Sequence, residues 1–312
     1  MSVRNTPFVQ DASTGRRVTP IWLAYVLVFL VAIIGVQGAV GAVFESSWKV
    51  TAGTPTAQLQ EAISFAAALA LLLLWVVLFE RRRVATLGFR GPGRGVLTML
   101  GGVVAGIVLL SIPTLFLLAI GAYEVVDAPA GATSGWSALP LLLLLACFVL
   151  VQGGTEEVLV RGFLLQNNGL KLPGWLAVLV PSLVFTLIHG VLTKPLAFSM
   201  ILLYALMASF LVLRLGSLWL VIGIHAGWNF ALGNVYGIAV SGLEPHTTSA
   251  VFLRAADDAP TWLTGGEFGT EASLPAVVVL LVAAALAFAS YRRWDRRRAA
   301  VPPEAPVVQR IA

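Results

Sequence analysis

Leu139-Pro-Leu-Leu-Leu-Leu-Leu-Ala-Cys147-Phe-Val-Leu-Val151-Gln-Gly-Gly-Thr-Glu156-Glu157-Val-Leu-Val-Arg161 is the stretch on which the fold turns. Residues 139–151 carry no charge, and two adjacent carboxylates follow within the same segment, which runs from Ser137 to about Leu165. A helix needs about 20 apolar residues to cross a bilayer, so the segment reads as a membrane helix that takes both acids with it. Ionised side chains are costly in that setting and mark function where they occur.

The rest of the chain has the same character. Its 312 residues are 58% hydrophobic and only 11% charged, with a mean hydropathy of +0.90. Soluble domains carry about 25% charged residues, so the composition predicts a polytopic, all-α membrane bundle. Seven further segments fit: Ile21 to Phe44, Leu59 to Phe79, Val96 to Tyr123, Trp175 to Val191, Leu196 to Leu213, Leu218 to Val240 and Pro275 to Tyr291. That gives about eight transmembrane helices in a single membrane domain, residues 21–291. An N-terminal tail (1–20) and a basic C-terminal tail (292–312), read as disordered, flank it. Arg16 and Arg17 could introduce a signal peptide, but the apolar run beyond them continues to Phe44 without a small-residue cleavage site, which predicts a retained first helix. The single cysteine, Cys147, excludes an intramolecular disulfide.

A net charge of +5 does not point to nucleic acid, because the basic residues flank apolar segments as topology signals do. With the N-terminus in the cytoplasm, 17 of the 20 basic residues fall inside, including Arg81 to Arg83, Arg90, Arg94, Arg161 and the cluster from Arg292 to Arg298. Lys49, Lys194 and Arg254 remain outside, where the loop from Ser241 to Leu274 carries Glu244, Asp257, Asp258, Glu267 and Glu271. This predicts cytoplasmic termini and an even number of crossings. No internal repeat of the kind that builds transporters is visible.

Chemistry concentrates in three helices. Glu157 and Arg161 are four apart and share a face, so the arginine can neutralise that acid; alternatively the pair ends the helix at the cytoplasmic interface. Glu156 points about 100° away and is left without a local partner, which suits a general base or acid. Gly153 and Gly154 lie one turn earlier and would let water or a substrate backbone approach. His189 follows Phe185 by four residues, and Asn229 follows His225 by four. Gly223 and Gly227 offer the small surface that membrane helices use to pack closely. His246, the remaining histidine, sits in the outer loop without an assigned role.

Two mechanisms fit these groups. In one, Glu156 and His189 take a proton from water while His225 and Asn229 donate to an oxyanion, giving peptide hydrolysis without a metal. In the other, Glu156, His189 and His225 ligate zinc and leave a position open for water. No His-Glu-x-x-His motif is present. Two non-proteolytic readings use the same residues: a proton-coupled transporter with a Glu/His relay, and a non-catalytic scaffold or immunity protein.

Together, Glu156-Glu157-x-x-x-Arg161, Phe185-x-x-x-His189 and His225-x-x-x-Asn229, in successive hydrophobic segments, resemble the signature of the CAAX-prenyl-protease and bacteriocin-processing family, also called the ABI family of intramembrane proteases. The resemblance covers about Pro140 to Asn234, and Thr86-Leu-Gly-Phe-Arg90 is similar to a short stretch common in bacterial members. It implies a helical fold with a conical cavity open toward the cytoplasm and a plasma-membrane enzyme hydrolysing peptide bonds of membrane-associated substrates. It implies water activation by Glu156 and His189, an oxyanion role for His225 and Asn229, and support from Glu157, Arg161 and Phe185. The family is labelled metalloprotease, although a metal-free glutamate mechanism also belongs to it. One difficulty attends the sequence layout. With the fourth helix starting at Ser137 on the outside, Glu156 falls near its cytoplasmic end, whereas His189 falls near the outer end of a fifth helix starting at Trp175, a difference in depth of roughly 20 Å.

Overall fold

The computed structural model describes residues 3–243 and 248–300. His246, Glu244, Arg310 and the end of the C-terminal tail lie outside the described residues. Eight long helices account for the bundle. We label them α1 (Ile21–Trp48), α2 (Pro55–Glu80), α3 (Pro92–Ala119), α4 (Gly135–Lys171), α5 (Gly174–Ile188), α6 (Pro195–Leu215), α7 (Trp219–Phe230, continued by Ala231–Val235) and α8 (Leu274–Ala299). Six helical stretches, those of α1 to α4, α6 and α8, are long and apolar enough to cross a membrane; α5 is apolar but shorter. The protein is therefore a multi-pass membrane protein.

Two helix ends differ from the sequence expectation. The fourth helix does not stop at Leu165; it continues through Gln166, Asn167 and Asn168 to Lys171, with a π-helical stretch at Val158–Leu164. Polar residues continue a buried helix when their side chains find partners. Gln166 Nε2 donates to the carbonyls of Phe8 (2.7 Å) and Thr86 (2.8 Å), and Asn168 Nδ2 donates to Tyr25 Oη at 2.8 Å. The N-terminal residues thus fold over this end of α4, with Phe8 and Val9 buried. Likewise α8 runs through the basic cluster to Ala299, so residues 292–299 are helical and not part of a disordered tail.

The chain alternates between two ends of the bundle. At one end lie residues 3–20, the 81–91 connection, the α4–α5 turn and the end of α8, and this end carries nearly all the basic residues. Arg161 is an exception, being fully buried within α4. At the other end a two-stranded antiparallel ribbon, β1 (Tyr123–Val126) and β2 (Phe252–Ala255), ties the α3–α4 connection to the long loop after α7.

The expected close packing at Gly223 and Gly227 is present, and its partner is α3. A Cβ on Gly223 would lie 2.0 Å from the Met99 carbonyl, and one on Gly227 2.1 Å from that of Val103. Gly102 and Gly106 of α3 face them with equally little space. Backbone meets backbone along the seam, fixing the height and rotation of α7 and so of His225 and Asn229.

Candidate active site

The hairpin of α4 and α5 removes the depth difficulty. Glu156 lies 15 residues before Lys171 (171 − 156), and His189 lies 15 residues after Gly174 (189 − 174), with only Leu172 and Pro173 between the helices. Antiparallel helices measured from a shared turn, at about 1.5 Å per residue, put both side chains at the same height, some 22 Å from the basic end. Both line one cavity of about 240 Å³, as do His225 and Asn229 from α7 and Tyr204 from α6.

Behind the cavity wall Glu157 and Arg161 are both fully buried, and Arg161 Nη1 donates to Glu157 Oε1 at 3.0 Å. The pair therefore does not mark a helix terminus at an interface. The same Oε1 accepts from Tyr204 Oη (3.0 Å) and from His225 Nδ1 (2.9 Å). The Arg161 guanidinium also stacks over Phe185, 4.3 Å from the ring centre. Phe185 in turn lies 4.7 Å from the His189 ring and 6.2 Å from the His225 ring. Glu157, Arg161 and Phe185 thus form a frame that fixes both imidazoles.

Each imidazole has one nitrogen committed. His189 caps the end of α5, with Nδ1 2.7 Å from the Phe185 carbonyl oxygen, one of the acceptors a helix terminus leaves unpaired. A carbonyl only accepts, so Nδ1 carries the proton and the neutral ring keeps its Nε2 lone pair. His225 similarly donates Nδ1–H to Glu157, placing Nε2 3.7 Å from Glu156 Oε2. A neutral His225 would aim a bare lone pair at that carboxylate; the imidazolium presents an N–H there. Protonated, His225 would turn an N–H toward the cavity, the donor that an oxyanion would need. Gly153 does not open a path for water, because the His225 ring fills the space beside it, 3.1 Å from where a Cβ would stand.

Residues 138–231 match the family described as type II CAAX prenyl endopeptidase Rce1-like. That match supports a CAAX-type intramembrane protease family for this region of the chain. The matched region takes in α4 to α7 up to Ala231, and hence every motif residue, and leaves α1 to α3 and α8 outside. No curated protein and no solved structure matches the chain.

The motif residues are the part of the site legible in the sequence, and the structure adds three that the sequence reading missed. Gln152 bridges the catalytic candidates: its Nε2 donates to Glu156 Oε1 at 2.8 Å and its Oε1 accepts from Asn229 Nδ2 at 3.1 Å. A carboxylate accepts only, so Glu156 sets the orientation of the Gln152 amide, which sets that of Asn229. Its position four residues before Glu156 was the available signal. Tyr204 gave no signal beyond being a tyrosine in an apolar run. The third, Glu61 of α2, lies in the opposite wall. Replacing Gln152 by Leu is expected to lower turnover about tenfold or more, as removal of a hydrogen-bonded positioning group does. Steady-state kinetics of the reconstituted protein check this, and an unchanged turnover would reduce Gln152 to a packing residue.

Glu156, His189 and His225 do not converge as a metal cage. Among the described residues no three His, Cys, Asp or Glu side chains come together in a way that could hold an ion. The donor set as arranged therefore does not fit the zinc alternative, and no step below uses a metal.

The cavity opens away from the basic end. Its rim includes Gly53 of the α1–α2 loop and Ser241 and Leu243 of the loop after α7. A mouth among these loops would lie at the end opposite the termini, so cytoplasmic termini would turn it to the other face of the membrane.

Proposed function

We propose that the protein is an intramembrane endopeptidase that cleaves a peptide bond of a membrane-associated protein or peptide, with Glu156 taking the proton from water. One observation carries this reading: four polar side chains from three helices face a single cavity while the buried charge behind them is internally paired. Glu156 Oε2 has no hydrogen-bond partner. Water bound between it and His189 Nε2 loses a proton to the carboxylate, and the hydroxide adds to the substrate carbonyl carbon. The oxyanion takes hydrogen bonds from the His225 imidazolium and from the second Nδ2–H of Asn229. Glu156 then returns the proton to the departing amine as the C–N bond breaks. The test is a comparison of membranes from cells making the wild-type or the Glu156→Gln protein, searched for new peptide termini. Termini found only with the wild type support a protease. Identical sets, together with a proton flux that depends on Glu156, would support a transporter instead.

We also infer the orientation in the membrane. Positive charge retained on the cytoplasmic side places the basic end inside and turns the cavity mouth to the opposite face. In a Cys147→Ser background, Asp257→Cys is expected to react with an impermeant maleimide in intact cells, and Arg83→Cys only after permeabilisation. The reverse pattern would turn the molecule over.

A further inference from the structure

Glu61 lies two turns inside α2 and lines the cavity, yet it makes no hydrogen bond or ion pair with any described residue. An acid within a spanning helix normally pairs or faces a functional cavity, and Glu61 does only the second. The other lining carboxylates are accounted for: Glu156 by the chemistry above, and Glu271 by Trp228 Nε1 (3.0 Å) and Ser241 N (2.8 Å). No lysine or arginine is among the described residues lining the cavity, and its remaining walls are largely apolar, with Phe65, Val149, Met200, Ile201 and Trp228.

Resting on the protease reading, we propose that Glu61 is a substrate subsite for a cationic group, a lysine or arginine side chain close to the scissile bond of an otherwise apolar peptide. A cation seated there would gain a carboxylate partner beside largely apolar walls. It would also relieve the repulsion between Glu61 and Glu156. By the same charge pattern, a free C-terminal carboxylate drawn into this cavity would meet acids and no compensating cation among the described lining residues. The predicted substrate is therefore cut at an internal basic-flanked position.

The test uses the full chain in detergent micelles and two arms. In the binding arm, Glu156→Gln protein is titrated with a fluorescent apolar pentapeptide carrying a central lysine, blocked at both ends, and with its norleucine counterpart. The lysine peptide should bind at least tenfold tighter, and the preference should vanish in Glu61→Gln/Glu156→Gln. Equal affinities, or a preference that survives the Glu61 change, would overturn the proposal whether or not the protein cleaves. In the cleavage arm, wild type and Glu61→Gln digest a mixed peptide library. Lysine or arginine should be enriched beside the cut sites of the wild type and not of the variant; retained enrichment would overturn the proposal. Lysine-selective binding with no cleavage would leave the cation site standing and sink the protease reading.

Discussion

Glu156→Gln is expected to lower the cleavage rate by a factor of about 10³ or more with little change in stability. General base catalysis contributes roughly 10²–10⁴ on its own, and an amide in this position cannot take the proton from water. The fold should survive because the substitution is nearly isosteric and the oxygen it replaces, Oε2, makes no hydrogen bond. The hydrogen bond from Gln152 Nε2 also persists, since an amide oxygen accepts it as a carboxylate does. His189→Ala is expected to cost about 10²-fold or more, and the double variant little beyond Glu156→Gln, because groups that act as a unit are not additive. Multiplying effects would mean that the two residues serve separate steps. The same assay addresses the metal. Exhaustive chelation should leave the wild-type rate unchanged, consistent with a donor set that does not close around an ion. Loss on chelation and recovery with zinc would show that Glu156, His189 and His225 move together when an ion binds.

The contrast between what the sequence announced and what it concealed follows from the range of each signal. Hydropathy located all eight helices, because each one's apolar content is a local property. It misplaced the end of α4, because Gln166, Asn167 and Asn168 look like a polar turn. Gln166 is held there by Phe8 and Thr86 and Asn168 by Tyr25, all distant in sequence. The six residues from Gln166 to Lys171 add about 9 Å of helix, and so account for part of the depth conflict between Glu156 and His189. The β1–β2 ribbon was invisible for a similar reason: its strands pair Tyr123 with Ala255, far apart in sequence. At the site, the i,i+4 pairs were legible because helical periodicity puts such residues on one face. Glu61 and Tyr204 were not, since nothing in a single sequence states which helices close the other walls. The direction of the cavity mouth was taken from resemblance alone, and only tertiary structure could set it against the charge pattern of this chain.

Arg161→Met is expected to be the most destabilising single change at the site, by about 3–5 kcal/mol, the usual effect of stripping one partner from a buried ion pair. Glu157 is fully buried and would keep only Tyr204 and His225 as donors, with its second oxygen already lacking a partner. Arg161→Lys should recover part of the loss at most. A single ammonium keeps the charge but not the planar stacking over Phe185 at 4.3 Å. The double variant Glu157→Gln/Arg161→Met should be more stable than either single change, because it removes both charges and leaves an amide that can still accept from Tyr204 and His225. Thermal unfolding in mild detergent measures this cycle, and additive losses would show that the two side chains do not depend on each other. The restored double variant should nonetheless remain slow. Without the carboxylate of Glu157 only the more distant Glu156, at 3.7 Å, is left to hold His225 as an imidazolium, and the N–H that meets the oxyanion is weakened. Stability and activity therefore come apart in this one variant, and that separation distinguishes a frame that only supports the fold from one that also sets the protonation of the ring in front of it.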